Sequence, residues 1–208
     1  MTRKKPKNKY QTDHYARKAK KENFPARSVY KLKEIQQKFK LIKEGDRLLD
    51  LGCAPGSWAK FAAELVGAEG QVVGIDLKKV SERFAANTRI IIGDVMDLGQ
   101  RDKENLAETI GTGYNAVLSD MAPATTGRKE VDAARSYYLC MAALAIAQKV
   151  LAPNGCFVSK IFQGDDFEEF KAEVGKIFDK HKIFKPQSCR KESKEIYIIG
   201  IGKKQEEN

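Results

Sequence analysis

A glycine-punctuated turn organises this chain: residues 50–58 have the sequence D-L-G-C-A-P-G-S-W. The preceding residues, Arg47–Leu51, are apolar enough for a buried strand, and apolar residues after the turn recur at helical spacing. Gly52 and Gly56 allow a sharp bend and a close approach of the backbone to a ligand, and the N-terminus of the following helix offers unpaired N–H groups. This order predicts a cradle for a nucleotide-type cofactor. The G-x-x-x-G spacing, with Pro55 lacking an N–H, disfavours a dinucleotide pyrophosphate.

After this turn in the sequence, two further predicted strands each end in an acidic residue. Gln71–Asp76 is a short apolar segment whose final carboxylate suits the hydroxyls of a ribose. Arg89–Asp94 also ends in a carboxylate, which can accept a hydrogen bond from the exocyclic amine of an adenine. Together with Asp50, these acids describe an adenosine pocket at the carboxyl edge of a parallel sheet. The alternative is that they are helix N-caps, which is a weaker explanation for three acids beside a glycine turn than for any one of them.

The positive charge of the chain is concentrated near its N-terminus. The 208 residues carry a formal net charge of +10, and residues 1–40 contain 14 Lys or Arg against 3 Asp or Glu. We therefore expect a flexible basic arm over residues 1–25, a domain over 26–203 and a charged tail over 204–208. A basic arm on a near-neutral domain indicates a polyanionic partner, with nucleic acid as the leading candidate. A solubilising tail is the alternative.

The cysteine and histidine pattern indicates no metal site. Cys53, Cys140, Cys156 and Cys189 lack C-x-x-C spacing, and neither histidine is close to them in sequence. They are typical of reduced core thiols in a cytoplasmic protein. The sequence has no long apolar segment and no charged-then-apolar leader, so we expect neither a membrane span nor a signal peptide.

Apolar residues after Ala26 recur at three- and four-residue intervals up to Phe39, which predicts an amphipathic helix with a cationic outer face. A polar loop over residues 125–129 adds further cations. The predicted RNA contacts on these two segments are Arg27, Lys33, Lys38 and Arg128. The alternative is that these cations only face solvent.

The rest of the chain alternates between helical and strand patterns. The predicted elements are a helix over 103–110, a strand over 114–120, a helix over 132–151, a strand over 156–162, a helix over 165–178, and strands over 182–187 and 195–201. Because only a loop separates the last two strands, we expect them to pair as an antiparallel hairpin at an edge of the sheet.

Lys160 is anomalous because it lies inside an otherwise apolar strand. Asp120 and Glu195 lie at the ends of two other predicted strands, and Lys31 on the basic helix can reach the same edge. A buried ammonium needs a partner, because desolvation disfavours its charge. These four side chains form a candidate catalytic group. The alternative is a structural ion pair of Lys160 with Asp120 or Glu195.

Four segments together resemble one family of enzymes. They are the turn at 50–58, S-D-M-A-P at 119–123, S-K-I-F-Q-G at 159–164 and E-I-Y at 195–197. From about residue 26 to residue 202 the chain resembles the FtsJ/RrmJ-type ribosomal RNA 2′-O-ribose methyltransferases. The resemblance implies an α/β, Rossmann-like class I methyltransferase fold. Its seven-stranded, mostly parallel sheet would have the order 3-2-1-4-5-7-6, with strand 7 antiparallel and helices on both faces.

The resemblance also implies site residues and a cofactor, S-adenosyl-L-methionine. The Lys-Asp-Lys-Glu tetrad of the family falls on Lys31, Asp120, Lys160 and Glu195. The cofactor contacts of the family fall on Gly56, Trp58, Asp76, Asp94 and Asp120, to which the glycine turn adds Gly52.

Methyl transfer to a ribose 2′-hydroxyl needs in-line positioning and removal of the hydroxyl proton, and Lys160 is our candidate for the base. The carboxylates would orient the reacting groups. The resemblance to bacterial members implies the A-loop uridine of large-subunit ribosomal RNA, in an assembled 50S particle, as the target. A transfer RNA ribose is the alternative substrate, and a non-catalytic RNA-binding or ribosome assembly protein is the alternative function. We expect a monomer.

Overall fold

The computed structural model describes residues 14–190 and 192–205. Helices and strands alternate along most of this part of the chain. In order, the elements are α1 (His14–Lys21), α2 (Val29–Phe39), β1 (Arg47–Leu51), α3 (Ser57–Val66), β2 (Gln71–Asp76), β3 (Thr88–Ile92), α4 (Val95–Gln100), α5 (Lys103–Ile110), β4 (Tyr114–Ser119), α6 (Lys129–Val150), β5 (Leu151–Phe162), α7 (Phe167–Ile177), β6 (Phe178–Phe184) and β7 (Glu195–Lys203).

The seven strands form one sheet in the order β3-β2-β1-β4-β5-β7-β6, which confirms the predicted order. Strands β1 to β5 pair in parallel, whereas β7 pairs antiparallel with both β5 and β6. The register places Ser119, the last residue of β4, opposite Ser159, while Lys160 lies opposite Tyr197 and Phe162 opposite Glu195. The ends of three strands therefore bring their polar residues to one edge of the sheet.

Both faces of the sheet are covered by helices, as predicted. Adjacent residues of a strand point to opposite faces, so Leu49 and Val117 pack in the core under α4 to α7, and Leu48 and Leu118 pack in the core under α2 and α3. A strand that is buried on both faces has a continuous apolar sequence, as parallel strands in α/β proteins do. This accounts for the short apolar segments of the sequence.

The prediction of a flexible arm is wrong for residues 14–25. Helix α1 occupies most of this segment, with Ala19 buried, and Phe24 packs beside it in a small cluster with Val29 and Tyr30. The ring centroids of Tyr15 and Tyr30 are 5.3 Å apart. Tyr15 and Ala19 are four residues apart and share one helical face, so an apolar stripe is present within a basic segment. Residues 1–13 of the predicted arm and 206–208 of the predicted tail lie outside the described residues.

Several element boundaries differ from the predictions. Helix α4 was not predicted, β5 begins at Leu151 directly after α6, and β6 occupies 178–184 instead of 182–187. Early β5 was missed because its turn-like residues 153–155 lie at a register shift opposite Tyr114 and Ala116. Among the described helices, none has the length and apolar character that a membrane crossing needs.

Candidate active site

An acid-lined cavity of about 380 Å³ opens at the carboxyl edge of the sheet. Its walls come from the ends of β1, β2, β3 and β4 and from the loops that follow them. Four of the predicted cofactor residues line it: Gly52, Asp76, Asp94 and Asp120. The exposed side chain of Leu77 and the loop residue Met121 add apolar surface. Crevices outside the carboxyl ends of strands are the usual ligand sites of open α/β sheets.

Asp76 and Asp94 each fix backbone as well as lining the cavity. Asp76 accepts hydrogen bonds from the backbone N–H of Ala54 at 2.9 Å and of Lys78 at 2.8 Å. Asp94 caps α4 by accepting from the N–H of Met96 at 2.8 Å. The N-cap explanation therefore holds for Asp94, but one cap uses a single acceptor site, and a carboxylate has about four. Both acids keep lone pairs that can face a ligand.

The glycine turn contributes mainly through its backbone. Gly52 has φ +74°, and a Cβ there would lie 2.2 Å from Cγ of Met121. Gly56, with φ +108°, packs instead against the loop after β2, where a Cβ would lie 2.9 Å from Cζ of Phe84. Gly56 does not line the large cavity. Both positions need glycine, but the side chain that a Cβ would meet is different at each.

Trp58 and Asp50 lie below the large cavity. The Trp58 indole N–H donates to the carbonyl of Ser28 at 2.9 Å, and its ring stacks on Tyr197 with centroids 5.9 Å apart. Trp58 and Asp50 border a small adjoining cavity of about 30 Å³, which Gly52 and Asp120 also line. Asp50 is 1% exposed and does not line the large cavity. Its predicted place in the adenosine pocket is therefore wrong, because the turn covers it.

The four residues of the predicted tetrad lie in one network. Lys160 Nζ lies 3.1 Å from Asp120 Oδ1 and also donates to the backbone carbonyl of Asp120. Lys31 Nζ lies 2.8 Å from Glu195 Oε2 and 3.8 Å from Asp120 Oδ1. The two lysines and Glu195 are each at most 9% exposed. Asp120 is the common member, since it contacts both lysines and lines the cavity described above.

Lys31 carries positive charge within this network. Burial disfavours its ammonium, but the carboxylates of Asp120 and Glu195 outweigh burial and raise the pKa of Lys31 above its usual value. Tyr197 donates its hydroxyl to Asp120 Oδ1 at 2.5 Å, and burial together with the Asp120 charge raises the pKa of Tyr197 well above its usual value. Tyr197 therefore acts as a neutral donor that fixes Asp120. Sequence reasoning missed this role because an aromatic residue in a strand also suits a plain core position.

The predicted RNA contacts lie in three separate places. Arg27 lies next to the tetrad, and Arg128 is exposed in the loop before α6. Lys33 instead pairs with Glu22 at 2.8 Å, and its ammonium lies 4.5 Å from the ring centroid of Phe24. The ammonium of Lys38 lies 4.5 Å from the ring centroid of Phe184. Both lysines thus cover aromatic surface with their side chains, a packing role that composition does not reveal.

The described part of the chain contains no group of three or more His, Cys, Asp or Glu residues arranged to hold a metal ion. The four cysteines are buried free thiols.

The sheet order, the antiparallel seventh strand and the acid-lined crevice are those expected of a Rossmann-like class I methyltransferase fold. Residues 24–203 match the family described as FtsJ-like methyltransferase, and the chain belongs to this family.

Curated relatives match over nearly their full length. A protein of Desulforapulum autotrophicum named ribosomal RNA large subunit methyltransferase E is 57% identical over 97% of this chain and 98% of its own. A protein of the same name from Desulfosudis oleivorans is 54% identical over 93% of this chain and 91% of its own. A solved structure described as a ribosomal RNA methyltransferase from Plasmodium falciparum has the same fold, with a TM-score of 0.75 and 24% identity, covering 86% of this chain and 98% of that one.

Proposed function

We propose that this protein transfers the methyl group of S-adenosylmethionine to a ribose 2′-hydroxyl of large-subunit ribosomal RNA. The target we propose is the A-loop uridine, presented in the 50S subunit in the cytoplasm. One observation carries the proposal: Asp120 belongs both to the acid-lined cavity and to the buried lysine network. A cofactor site and a proton-accepting site therefore meet at one carboxylate.

The acid-lined cavity suits the positive charges of S-adenosylmethionine. The ligand carries a sulfonium and an ammonium, and three carboxylates, those of Asp76, Asp94 and Asp120, face the cavity. Asp76 would hold the ribose hydroxyls and Asp94 the adenine amine, while the absence of a Cβ at Gly52 leaves room for Met121. When bound, the cofactor supplies an electrophilic methyl group.

The lysine network supplies the proton transfer. We propose that Lys160 accepts the proton of the ribose hydroxyl as it attacks. Asp120 fixes the position of the Lys160 amine through both its side chain and its backbone carbonyl. Lys31 remains charged between Asp120 and Glu195 and so orients both carboxylates. Burial of these groups excludes water, which strengthens each electrostatic contact.

The identity of the RNA rests on the curated relatives, whose name describes action on large-subunit ribosomal RNA at up to 57% identity. The tetrad and the acid-lined cavity are complete within one copy of the chain. This supports action as a monomer.

The experiment offers labelled S-adenosylmethionine with unmethylated 50S subunits and, in parallel, unmethylated transfer RNA. We expect label on the 50S subunits and none after Lys160→Ala. Lys203→Ala is the matched control, because Lys203 is a second buried lysine of the sheet and its Nζ donates to the carbonyl of Leu151, far from Asp120. Label on transfer RNA alone would overturn the proposed substrate. Equal label with Lys160→Ala and wild type would overturn the role of Lys160.

A further inference from the structure

A second cavity, of about 270 Å³, lies on the other side of the tetrad from the acid-lined cavity. It is lined by Arg27, Ser28, Lys31, Arg190, Ser193 and Glu195. We call it the arginine cavity. Lys31 and Glu195 form the wall that it shares with the tetrad, so a group bound here lies next to the proposed reaction centre.

The arginine cavity is built by two segments that are tied together. The loop between β6 and β7 is held against α2 by Glu34, whose carboxylate accepts from the backbone N–H of Gln187 at 2.6 Å and of Ser188 at 2.8 Å. Arg27 adds a hydrogen bond from its guanidinium to the carbonyl of Ser188. These contacts fix the loop that carries Arg190 in position relative to the tetrad.

The charges of the arginine cavity favour an anion. Glu195 is the carboxylate that lines it, and Lys31 already engages Glu195 at 2.8 Å. The guanidinium-bearing residues Arg27 and Arg190 both line the same cavity. Burial and then repulsion by Arg190 lower the pKa of Arg27, and the charge of Glu195 offsets only part of this shift. An anion between Arg27 and Arg190 would replace this repulsion with two attractive contacts.

We propose that the arginine cavity binds the RNA phosphodiester adjacent to the methylated ribose, with the guanidiniums of Arg27 and Arg190 as its ligands. Guanidinium groups match phosphate oxygens in geometry and charge. In RNA the 2′-hydroxyl and the 3′-phosphate are on neighbouring atoms of one ribose. A phosphate held beside Lys31 therefore sets the approach of that hydroxyl to Lys160, which lies in the same network. That the polymer is ribosomal RNA rests on the proposed function.

The test is a double-mutant cycle read by RNA binding instead of by turnover. A fluorescent single-stranded oligouridylate is titrated by anisotropy with wild type, Arg27→Gln, Arg190→Gln and the double variant, at several salt concentrations. We expect each single variant to weaken binding by about tenfold, and the double variant to lose less than the product of the two single losses, because both side chains contact one phosphate. The salt slope should decrease by about one.

Arg101→Gln is the matched control. It removes an arginine that is exposed like Arg190 and lies between α4 and α5, where the Arg101 carbonyl accepts from Lys149. It should change binding by less than about twofold. Affinity for S-adenosylmethionine should be unchanged in all variants. Arg27→Lys keeps the charge but not the planar guanidinium, so it replaces Arg27→Gln if the latter has a lower melting temperature.

The outcomes separate the two proposals. If Arg190→Gln binds like Arg101→Gln, or if the losses from Arg27 and Arg190 multiply independently, the phosphate site is wrong even when wild type methylates 50S subunits. If the cycle shows coupling but wild type methylates no RNA, the phosphate site stands and the proposed reaction is wrong.

Discussion

Replacing Asp50 by asparagine should make the protein increasingly more stable, relative to wild type, as pH rises. The carboxylate is buried under the glycine turn, and neither of its oxygens has a hydrogen-bond partner of normal geometry among the described residues. Burial raises the pKa of Asp50 to about 8, with further contributions from the charges of Asp120 and Asp76, whereas the backbone N–H of Ala59 acts weakly in the opposite direction. At neutral pH the folded protein therefore holds a proton on Asp50.

The sign and size of the effect follow from this proton. In the unfolded chain the carboxyl ionises with a pKa near 3.9, so between about pH 4 and 8 unfolding releases the proton and stability falls as pH rises. The loss is about 1.4 kcal/mol per pH unit, or about 3 kcal/mol from pH 5 to pH 7. D50N has no proton to lose, so its stability relative to wild type should rise by this amount over the same range.

The assay is urea unfolding of wild type and D50N at pH 5 and pH 7. The quantity compared is the difference in the free energy of unfolding between D50N and wild type, at pH 5 and again at pH 7. Any pH-independent cost of burying the amide is the same at both pH values and therefore cancels. D97N is the matched control, since it also replaces an acid by its amide, but at an exposed position on α4. A D50N difference that does not change between the two pH values would refute a protonated Asp50.

Three further perturbations test the site. Tyr197→Phe keeps the ring but removes the 2.5 Å hydrogen bond to Asp120. It should lower kcat about tenfold without changing KM for RNA, which steady-state kinetics would measure; an unchanged kcat would contradict a positioning role. Gly52→Ala should abolish cofactor binding in calorimetry because its Cβ would lie 2.2 Å from a side chain, whereas Gly113→Ala, at a similar φ but in open space, should only lower the melting temperature. Equal binding by both variants would exclude the steric argument. Hydrogen bonds from the loop before α6 lower the pKa of Asp132, so the stability that its carboxylate contributes should be lost as pH falls below the ordinary carboxyl range, and wild type should lose more stability there than Asp132→Asn. An equal fall in melting temperature of the two proteins as pH is lowered would disprove this.

The strands of the sheet and the approach of Lys160 to Asp120 could be predicted, because each strand has a local sequence signal. Each parallel strand is a short apolar segment that ends in a polar residue, and the family resemblance supplies the partner order. Lys160 stood out because a lysine is costly inside an apolar strand. The structure brings it to Asp120 as the topology requires, since β4 and β5 are neighbours in the sheet.

Features that depend on side-chain contacts between distant segments could not be predicted. Helix α1 is stable because its apolar stripe finds Tyr30 and Phe24, although its composition is that of a solvated basic arm. Lys33 was predicted to face RNA, but its ammonium lies against aromatic rings. The spacing of residues in the sequence does not encode the packing of α1 or the position of the Lys33 ammonium, because both depend on where α2 docks.

The arginine cavity was missed for the same reason. Arg190 lies more than 160 residues after Arg27 in the chain, and the hydrogen bonds of Glu34 and of Arg27 itself to the loop after β6 bring the two together. Loops without periodicity give no sequence signal of this kind.

The most direct measurement is alkaline hydrolysis of large-subunit ribosomal RNA after labelled methyl transfer by the wild-type protein. Methylation of a 2′-hydroxyl blocks cleavage of the adjacent phosphodiester, because that hydroxyl is the attacking group in alkaline hydrolysis. We predict that the label is recovered in an alkali-resistant dinucleotide, and that Lys160→Ala gives none. Recovery of the label in mononucleotides would mean methylation of a base and would contradict a ribose hydroxyl as the acceptor.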